Sequence, residues 1–175
     1  MKFPIINTTR LRLRQFTDAD LENVFKGLSH PDVIKYYGVN FKTLEETKEQ
    51  MTWFADLEKN NTGIWWAIED KENGTFYGGA GFNDMSQEHK KAEVGMWLLP
   101  DYWGKGILKE VMPTIIDFAF SDLGLHRIEG FVESNNAKCK AAMAKVNFQC
   151  EGTMRDCEVK NGELISVDIY ARINR

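Results

Sequence analysis

The sequence has few of the residues that build metal centres and disulfide frameworks. It contains three cysteines and three histidines in 175 residues, and no two cysteines form a CxxC pair. An odd number of cysteines without paired spacing does not indicate a disulfide framework, and histidines far apart along the chain do not match a zinc pattern such as HExxH. We therefore predict free thiols in a reducing compartment and no metal.

Long apolar runs and an excess of positive charge are also missing. No stretch approaches the roughly 20 apolar residues that cross a bilayer, and the N-terminal run MKFPII is too short for a signal peptide. The formal net charge is −4 and the pI is about 5.5, whereas nucleic-acid-binding domains are usually basic. These absences predict a cytoplasmic protein that binds neither a membrane nor a nucleic acid.

What remains is the composition of a folded globular protein. Hydrophobic residues make up 43% of the chain and charged residues 27%, and no linker, repeat or low-complexity tract interrupts them. A chain of this length corresponds to one domain of ordinary size. Residues 1–175 are therefore predicted to form a single domain, and a homodimer is left open.

Periodic apolar positions predict the element order β-α-α-α-β-β-β-α-β-α-β-β. Strand patterns occur in RLRLRQF, IWWAIED, TFYGGAGF, AEVGMWLL and HRIEGFVE, and a closing hairpin turns at KNGE. The strand–helix–strand unit at residues 94–133 predicts a right-handed crossover between two parallel strands. The predicted fold class is therefore α/β (α+β mixed sheet), with three α/β/α layers, a mostly antiparallel sheet and a central parallel strand pair.

A glycine-rich turn connects the strand AEVGMWLL to the helix that follows it. Gly104 and Gly106 flank Lys105, where this helix is predicted to begin. The first turn of a helix leaves backbone N–H groups without partners and carries positive potential, so the turn can bind a pyrophosphate. It can equally serve only to redirect the chain. The segment is neither a Walker loop nor a GxGxxG fingerprint, because Lys109 occupies the last glycine position.

The segment AEVGMWLLPDYWGKGILKEVMPTIIDFAF resembles the acetyl-coenzyme A motif of the GNAT superfamily of N-acetyltransferases. That motif is [Q/R]-x-x-G-x-[G/A]. The branch that the chain most resembles modifies ribosomal-protein N-termini (RimJ/RimL-like) and often has Trp in the first place. The six places are filled by Trp103, Gly104, Lys105, Gly106, Ile107 and Leu108. Leucine therefore stands in the last place, where the family has Gly or Ala.

Two further segments extend the resemblance over nearly the whole chain. TTRLRLRQFTDADLENVF is similar to the opening of the branch, and EGFVESNNAKCKAAMAKVNFQCEGTMRD is similar to its second cofactor motif, N-x-x-S-x-x-x-L-x-K-x-G-F. Asn136 takes the Asn place, Cys139 the Ser place and Met143 the Leu place. By resemblance, these three residues contact the cofactor, and Asn136 is also expected to cap its helix.

The resemblance implies an N-acetyltransferase of the GNAT fold that uses acetyl-CoA as co-substrate. The implied reaction is direct attack of a primary amine on the thioester in a ternary complex. A protein N-terminal α-amine is the leading acceptor, and a polyamine, an antibiotic or another small amine is the alternative. A non-catalytic acyl-CoA-binding sensor on the same fold is a third interpretation, because fold alone does not establish chemistry.

Two segments are implied to hold the cofactor. The backbone amides from Gly104 to Lys109 would bind the pyrophosphate of CoA. Pantetheine would pair with the preceding strand through Trp97, Leu98 and Leu99, in the manner of an added strand. An N–H near Trp97 would polarise the thioester carbonyl.

Two residues are predicted to be catalytic. Glu93 occupies the place of the family's general-base glutamate, and its alternative is an ion pair with Lys90 or Lys91. Many family members protonate the leaving thiolate with a Tyr, but Met143 holds that place here. Cys139 is therefore the predicted proton donor, and its alternative is a small buried residue on a helix face.

The acceptor pocket is predicted to lie between the early helices and the closing hairpin. An acidic protein can attract a cationic amine, although net charge does not identify the acceptor. Asp168 is also expected to pair with Arg155. The candidate substrate-binding residues are His30, Tyr36, Tyr37, Trp53, Trp66 and Asp168.

Overall fold

The helices and strands follow the predicted order, with one addition at the start. The computed structural model describes residues 2–175, and the addition is the two-residue strand β1. The helices are α1 (Leu21–Leu28), α2 (Pro31–Ile34), α3 (Leu44–Asn60), α4 (Ile107–Ser121) and α5 (Ala137–Lys145). The strands are β1 (Ile6–Asn7), β2 (Leu11–Arg14), β3 (Ile64–Asp70), β4 (Phe76–Ser86), β5 (Lys91–Leu98), β6 (Arg127–Glu133), β7 (Gln149–Lys160) and β8 (Glu163–Ile173).

The eight strands form one mixed sheet in the order β1-β2-β3-β4-β5-β6-β8-β7. Only β5 and β6 run parallel, joined by α4, and every other neighbouring pair is antiparallel. The predicted fold class, with its central parallel strand pair, is confirmed. No helix within residues 2–175 has the length and apolar character needed to span a membrane.

The parallel pair separates partway along its length. β5 and β6 pair only from Lys91 opposite Arg127 to Glu93 opposite Glu129. Beyond Glu93, β5 stays paired with β4 as far as Leu98, while β6 stays paired with β8. Since each strand follows its outer neighbour, a wedge-shaped opening forms in the middle of the sheet.

Apolar cores cover both faces of the sheet. Neighbouring residues of a strand point to opposite faces, so Trp66 packs on the α4 side and Trp65 on the α1 and α3 side. The α4 face includes Phe82, Val111, Ile115 and Ile116, and the other face includes Val24, Leu28, Phe54 and Trp97. These two cores give the three layers that the sequence predicts.

Helix α4 begins later than predicted. It starts at Ile107 and not at Lys105, because Gly106 adopts a left-handed conformation with φ of 78°. That conformation is not helical and favours glycine. The helix then continues through Pro113 to Ser121. The delayed start leaves residues 103–106 as an exposed loop in front of the helix.

Candidate active site

A cavity of about 860 Å³ occupies the opening between β5 and β6. On the α4 and α5 side it is lined by Leu108, Met112, Cys139 and Met143. On the opposite side it is lined by Tyr36, Tyr37, Gln50, Trp53 and Trp65, with Glu93 and Asn83 beside them. Because its walls come from both faces, the cavity gives two molecules access to the same strand from opposite sides.

The loop before α4 presents a row of backbone amides. Gly104 and Gly106 have φ values of 73° and 78°, a region that residues with a side chain rarely adopt. Glu110 is the first helical residue whose amide donates to a carbonyl, that of Gly106, at 3.2 Å. The amides of residues 104–109 donate to no backbone carbonyl of the described chain. They meet the requirement for an anion site at a helix start.

The segment TTR, residues 8–10 in the turn between β1 and β2, anchors this loop. Arg10 donates through Nη1 to the carbonyl of Lys105 (3.1 Å) and through Nε to Glu110 (2.8 Å). Glu110 also accepts from the amide of Arg10 (2.8 Å) and the hydroxyl of Thr8 (2.6 Å). These bonds fix Lys105 of the loop and Glu110 in the first turn of α4 to the β1–β2 turn.

By the family resemblance this loop would hold acetyl-CoA, so loss of the Arg10 anchor is expected to weaken acetyl-CoA binding. For Arg10→Ala we expect the KM for acetyl-CoA to rise about 10-fold, the size of one charge-assisted hydrogen bond, with kcat little changed. The matched control is Arg12→Ala, which removes an exposed arginine of the next strand whose contact with Glu69 is 3.8 Å long. An equal rise of KM in both variants, measured by steady-state thiol release, would show a general charge effect.

Glu93 lies where the sheet opens and is half-buried in the cavity wall. Asn83 Nδ2 donates to its carboxylate at 3.4 Å. The alternative of an ion pair with a neighbouring lysine is wrong, because Lys91 pairs with Glu129 (3.2 Å) and no cation of residues 2–175 pairs with Glu93. Burial first, and then the nearby carboxyl groups of Asp84 and Glu129, raise the pKa of Glu93 to about 7. A carboxylate of this pKa can accept a proton near neutral pH.

The start of α5 places a thiol in the cavity wall. Asn136 caps the helix, as predicted, because its Oδ1 accepts from the amide of Cys139 at 3.2 Å. Burial raises the pKa of the Cys139 thiol. The thiol therefore stays protonated at neutral pH and suits a proton donor better than a nucleophile. Met143, one turn further, fills the space over Gly130.

The backbone of β5 alternates between its neighbour β4 and the opening. The amide of Leu99 donates to a β4 carbonyl at 2.9 Å. Since successive amides point to opposite sides of a strand, the amide of Trp97 also faces β4, and those of Met96 and Leu98 face the opening. The carbonyl of Leu98 accepts from the indole of Trp103 at 2.9 Å. Of the three residues predicted to pair with pantetheine, Leu98 alone therefore offers a free amide; Trp97 and Leu99 instead pack in the core.

Of the residues predicted to bind the acceptor, Tyr36 and Tyr37 line the cavity, whereas Trp66 and His30 do not. Trp66 is fully buried on the other face of the sheet, where its indole donates to the carbonyl of Pro4 at 2.8 Å. His30 caps α2, since its Nδ1 accepts from the amide of the second residue of the helix at 3.2 Å. Both predictions are corrected: these residues stabilise the fold away from the cavity.

Asp168 is also a structural residue. It is buried in β8 and accepts from Ser134 Oγ (2.6 Å) and Thr153 Oγ1 (2.7 Å). Lys140 of α5, and not Arg155 as predicted, forms its ion pair at 2.8 Å. These partners, Lys140 first, lower the pKa of Asp168 to about 2. The cluster fixes the first turns of α5 against the sheet and thereby the position of Cys139.

Several polar or aromatic residues of the cavity were not predicted from the sequence. Gln50, Trp65 and Asn83 are among them. Trp65 is the neighbour of the residue chosen in error, and the strand pattern IWWAIED does not say which tryptophan faces which layer. Gln50 and Asn83 carry no local sequence signal, because their role depends on which helix and strand meet at the opening. Within residues 2–175, no group of three His, Cys, Asp or Glu side chains is arranged to hold a metal ion.

Solved structures with the same fold bind coenzyme A. RimL, a ribosomal L7/L12 α-N-protein acetyltransferase in complex with coenzyme A, matches with a TM-score of 0.87 at 22% identity, covering 97% of this chain and 98% of RimL. The spermidine N-acetyltransferase of Vibrio cholerae, in complex with CoA and spermine, matches with a TM-score of 0.84 at 20% identity, covering 94% and 96%. At this identity the likeness shows a shared fold.

Sequence comparison gives the family. Among curated proteins, the chain is 35% identical over 170 residues to YoaA of Bacillus subtilis, an uncharacterized N-acetyltransferase, with 97% of this chain and 96% of YoaA covered. Residues 10–149 match the family described as the acetyltransferase (GNAT) domain. This range contains Glu93, Cys139 and the loop of residues 103–106 in front of α4, which we call the anion loop. The chain therefore belongs to the GNAT family of N-acetyltransferases.

Proposed function

We propose that this enzyme transfers the acetyl group of acetyl-CoA to the N-terminal α-amine of a protein by direct attack within a ternary complex. One observation carries the proposal: a single cavity reaches from Leu108 of α4, next to the loop of residues 103–106, through the opening between β5 and β6 to Glu93. Two substrates that enter from opposite faces can meet there without a covalent enzyme intermediate.

The residues on the α4 side fit the charge and shape of coenzyme A. The amides of residues 104–109 would hold its pyrophosphate, with the exposed side chains of Lys105 and Lys109 adding positive charge. The amides of Met96 and Leu98 would pair with the pantetheine as an added strand pairs with a sheet edge. Asn136 keeps its side-chain NH2 group for the same ligand, since only its oxygen is used in the helix cap.

The acid–base groups account for the proton transfers of the reaction. Glu93 takes a proton from the ammonium of the acceptor, directly or through water, and passes it to solvent. The neutral amine then attacks the thioester carbon, and its nitrogen loses a second proton to Glu93 or to water as the amide forms. An amide facing the opening, of Met96 or Leu98, stabilises the charge on the carbonyl oxygen. As the C–S bond breaks, the thiol of Cys139 gives its proton to the leaving sulfur and recovers one from solvent.

A polyamine acceptor is the second candidate, and one observation favours it. Glu49 and Glu158 are exposed at the mouth of the cavity, and Glu133 lies nearby in an ion pair with Lys160. An excess of carboxylates at an entrance attracts cations. The sensor interpretation is disfavoured, because a sensor has no need for a carboxyl group of pKa about 7 in the cavity.

Ligand-induced stabilisation and an acceptor panel test the proposal. CoA at about 100 times its Kd is expected to stabilise the protein by about 2.7 kcal/mol, and thiol release is expected to be faster with peptides bearing free N-termini than with spermidine. Failure of CoA to raise the Tm would remove the anion loop as its binding site. Turnover of polyamines alone would select the second candidate, and CoA binding without turnover of any amine would select the sensor.

A further inference from the structure

Gln50 is a buried polar side chain whose hydrogen-bonding groups face the cavity. It is 7% exposed, lies on α3 and lines the cavity wall. No group of residues 2–175 forms a hydrogen bond with its side-chain amide. By contrast, the hydroxyl of the nearby buried Thr47 on the same helix donates to the carbonyl of Thr43 at 2.9 Å. The fully buried side-chain atoms without a partner in the described chain are the indole nitrogens of Trp65 and Trp97, so the amide of Gln50 stays accessible from the cavity. A ligand in the cavity can therefore hydrogen-bond this amide in place of solvent.

The hydroxyl of Tyr37 also lacks a hydrogen-bond partner in the described chain. Tyr37 lines the cavity, and its hydroxyl lies 3.8 Å from the position that a Cβ atom on Gly95 would occupy. Burial, and then the charge of Glu93, raise the pKa of Tyr37 above its ordinary value. Tyr37 therefore presents a neutral hydroxyl close to the carboxyl group that would deprotonate the acceptor.

The chemistry of this wall differs from that of the cavity mouth. The carboxylates Glu49 and Glu158 are exposed at the mouth. The unpaired groups inside are neutral: the side-chain amide of Gln50, the hydroxyl of Tyr37 and the indole N–H of Trp65. A side-chain amide offers two donors and one acceptor oxygen. A protonated polyamine has donors only and would leave the NH2 group of Gln50 unpaired, whereas a peptide group supplies both a carbonyl and an N–H.

We infer that Gln50, assisted by Tyr37, binds the first peptide group of the acceptor and thereby selects α-aminoacyl substrates over polyamines. This inference rests on the proposed function and specifies it further. The amine next to that peptide group is placed toward Glu93, because the hydroxyl of Tyr37 lies beside Gly95, which shares a face of β5 with Glu93 two residues earlier. The carboxylates at the mouth then attract the cationic N-terminus toward the cavity but do not distinguish it from other cationic amines.

A cycle of two changes, one in the enzyme and one in the substrate, tests this contact. The substrate pair is a peptide and its alkene isostere, in which a carbon–carbon double bond replaces the first peptide group and the free amine is kept. For the unmodified enzyme we expect kcat/KM to be about 10-fold higher for the peptide, the effect of one hydrogen bond of about 1.4 kcal/mol. For Gln50→Leu the two substrates should become equal, through a loss on the peptide alone.

The controls separate a lost contact from a damaged fold. Glu49→Leu, on the same helix at the cavity mouth, should keep the roughly 10-fold preference for the peptide, and Gln50→Leu should keep its stabilisation by CoA. Equal losses on both substrates, or a preference that survives in Gln50→Leu, would overturn the inference. Turnover of the peptide by the unmodified enzyme tests the proposed function separately, and if spermidine alone is acetylated, both proposals fail together.

Discussion

Replacing Glu93 with Gln is expected to lower kcat by about 100-fold, the lower end of what a positioned general base contributes. Gln keeps the size of the side chain and its contact with Asn83 but cannot accept a proton. The KM for acetyl-CoA should change little, because the cofactor would be held by backbone amides, those of residues 104–109 and of Met96 and Leu98, and not by the side chain of Glu93. Steady-state thiol release at saturating acetyl-CoA measures both quantities, and a kcat within twofold of the unmodified enzyme would exclude Glu93 as the base.

The pH profile gives a second readout of the same substitution. The pKa of Glu93 is raised to about 7, so the base is protonated and inactive below that pH. The kcat/KM of the unmodified enzyme should therefore fall about 10-fold per pH unit below pH 7. The residual activity of Glu93→Gln should lack this limb. A limb that persists in the variant would belong to the acceptor amine or to another group.

The difference in stability between Glu93→Gln and the unmodified enzyme should also depend on pH, and its sign follows from the pKa of Glu93. The pKa of Glu93 lies near 4.5 in an ordinary environment and at about 7 in the folded protein. Between these values the folded state binds a proton that the unfolded state does not, so the stability of the unmodified enzyme falls as pH rises. The gain in Tm of Glu93→Gln should therefore grow across this window and stay constant above it. This gain would show that the loss of activity is not a loss of fold.

The elements that define the cofactor side could be predicted because their signals are local. Two glycines around a lysine predict a turn, and positive φ at Gly104 and Gly106 confirms why glycine is needed there. Asn136 stands directly before a helical pattern, and it caps that helix. The crossover between β5 and β6 follows from the strand–helix–strand pattern. In each case the residues that interact lie within a few positions of one another.

Beyond Tyr36, Tyr37 and Trp53, the acceptor side could not be predicted, because its residues meet only through long-range packing. Trp65 and Trp66 are consecutive, and the register of β3 between β2 and β4 decides that Trp65 faces α3. Asp168 has the charge of a substrate-binding residue, but Lys140, 28 positions earlier in the chain, neutralises it. Gln50 looks like any polar helix residue until α3 is placed over the opening. That its side chain is buried, and that its side-chain amide has no hydrogen-bond partner in the described chain, can be seen only in the folded chain.

The separation of β5 from β6 explains why the two sides converge on one strand. A fully paired β5 would use all of its amides within the sheet, whereas here the amides of Met96 and Leu98 lack a neighbour after Glu93. The same strand carries Glu93 at the point of separation. The amides proposed to pair with pantetheine and the predicted base are therefore held within six residues of one chain segment, which fixes their relative positions without help from a mobile loop.

Substituting Val for Gly104 is expected to lower kcat/KM for acetyl-CoA by about 100-fold. Gly104 has a φ of 73°, a conformation that a β-branched residue tolerates poorly, so the loop must change its backbone to accept the side chain. The amides on either side then turn away from the anion. An effect of this size corresponds to about 2.7 kcal/mol, which is within the range of about 1.5–3 kcal/mol for one charge-assisted hydrogen bond. Kinetics at varied acetyl-CoA and thermal shift with CoA measure it.

Gly124 supplies the matched control for this prediction. It follows α4 with a φ of 66°, and, as at Gly104, a Cβ atom there would meet nothing within 4 Å. Gly124→Val should therefore lose about the same 1–2 kcal/mol of stability from backbone strain and keep its affinity for CoA. If both variants lose affinity equally, strain and not the anion loop is responsible. If Gly104→Val alone loses the stabilisation by CoA, the loss belongs to the amides of residues 104–109, because the strain is common to both variants.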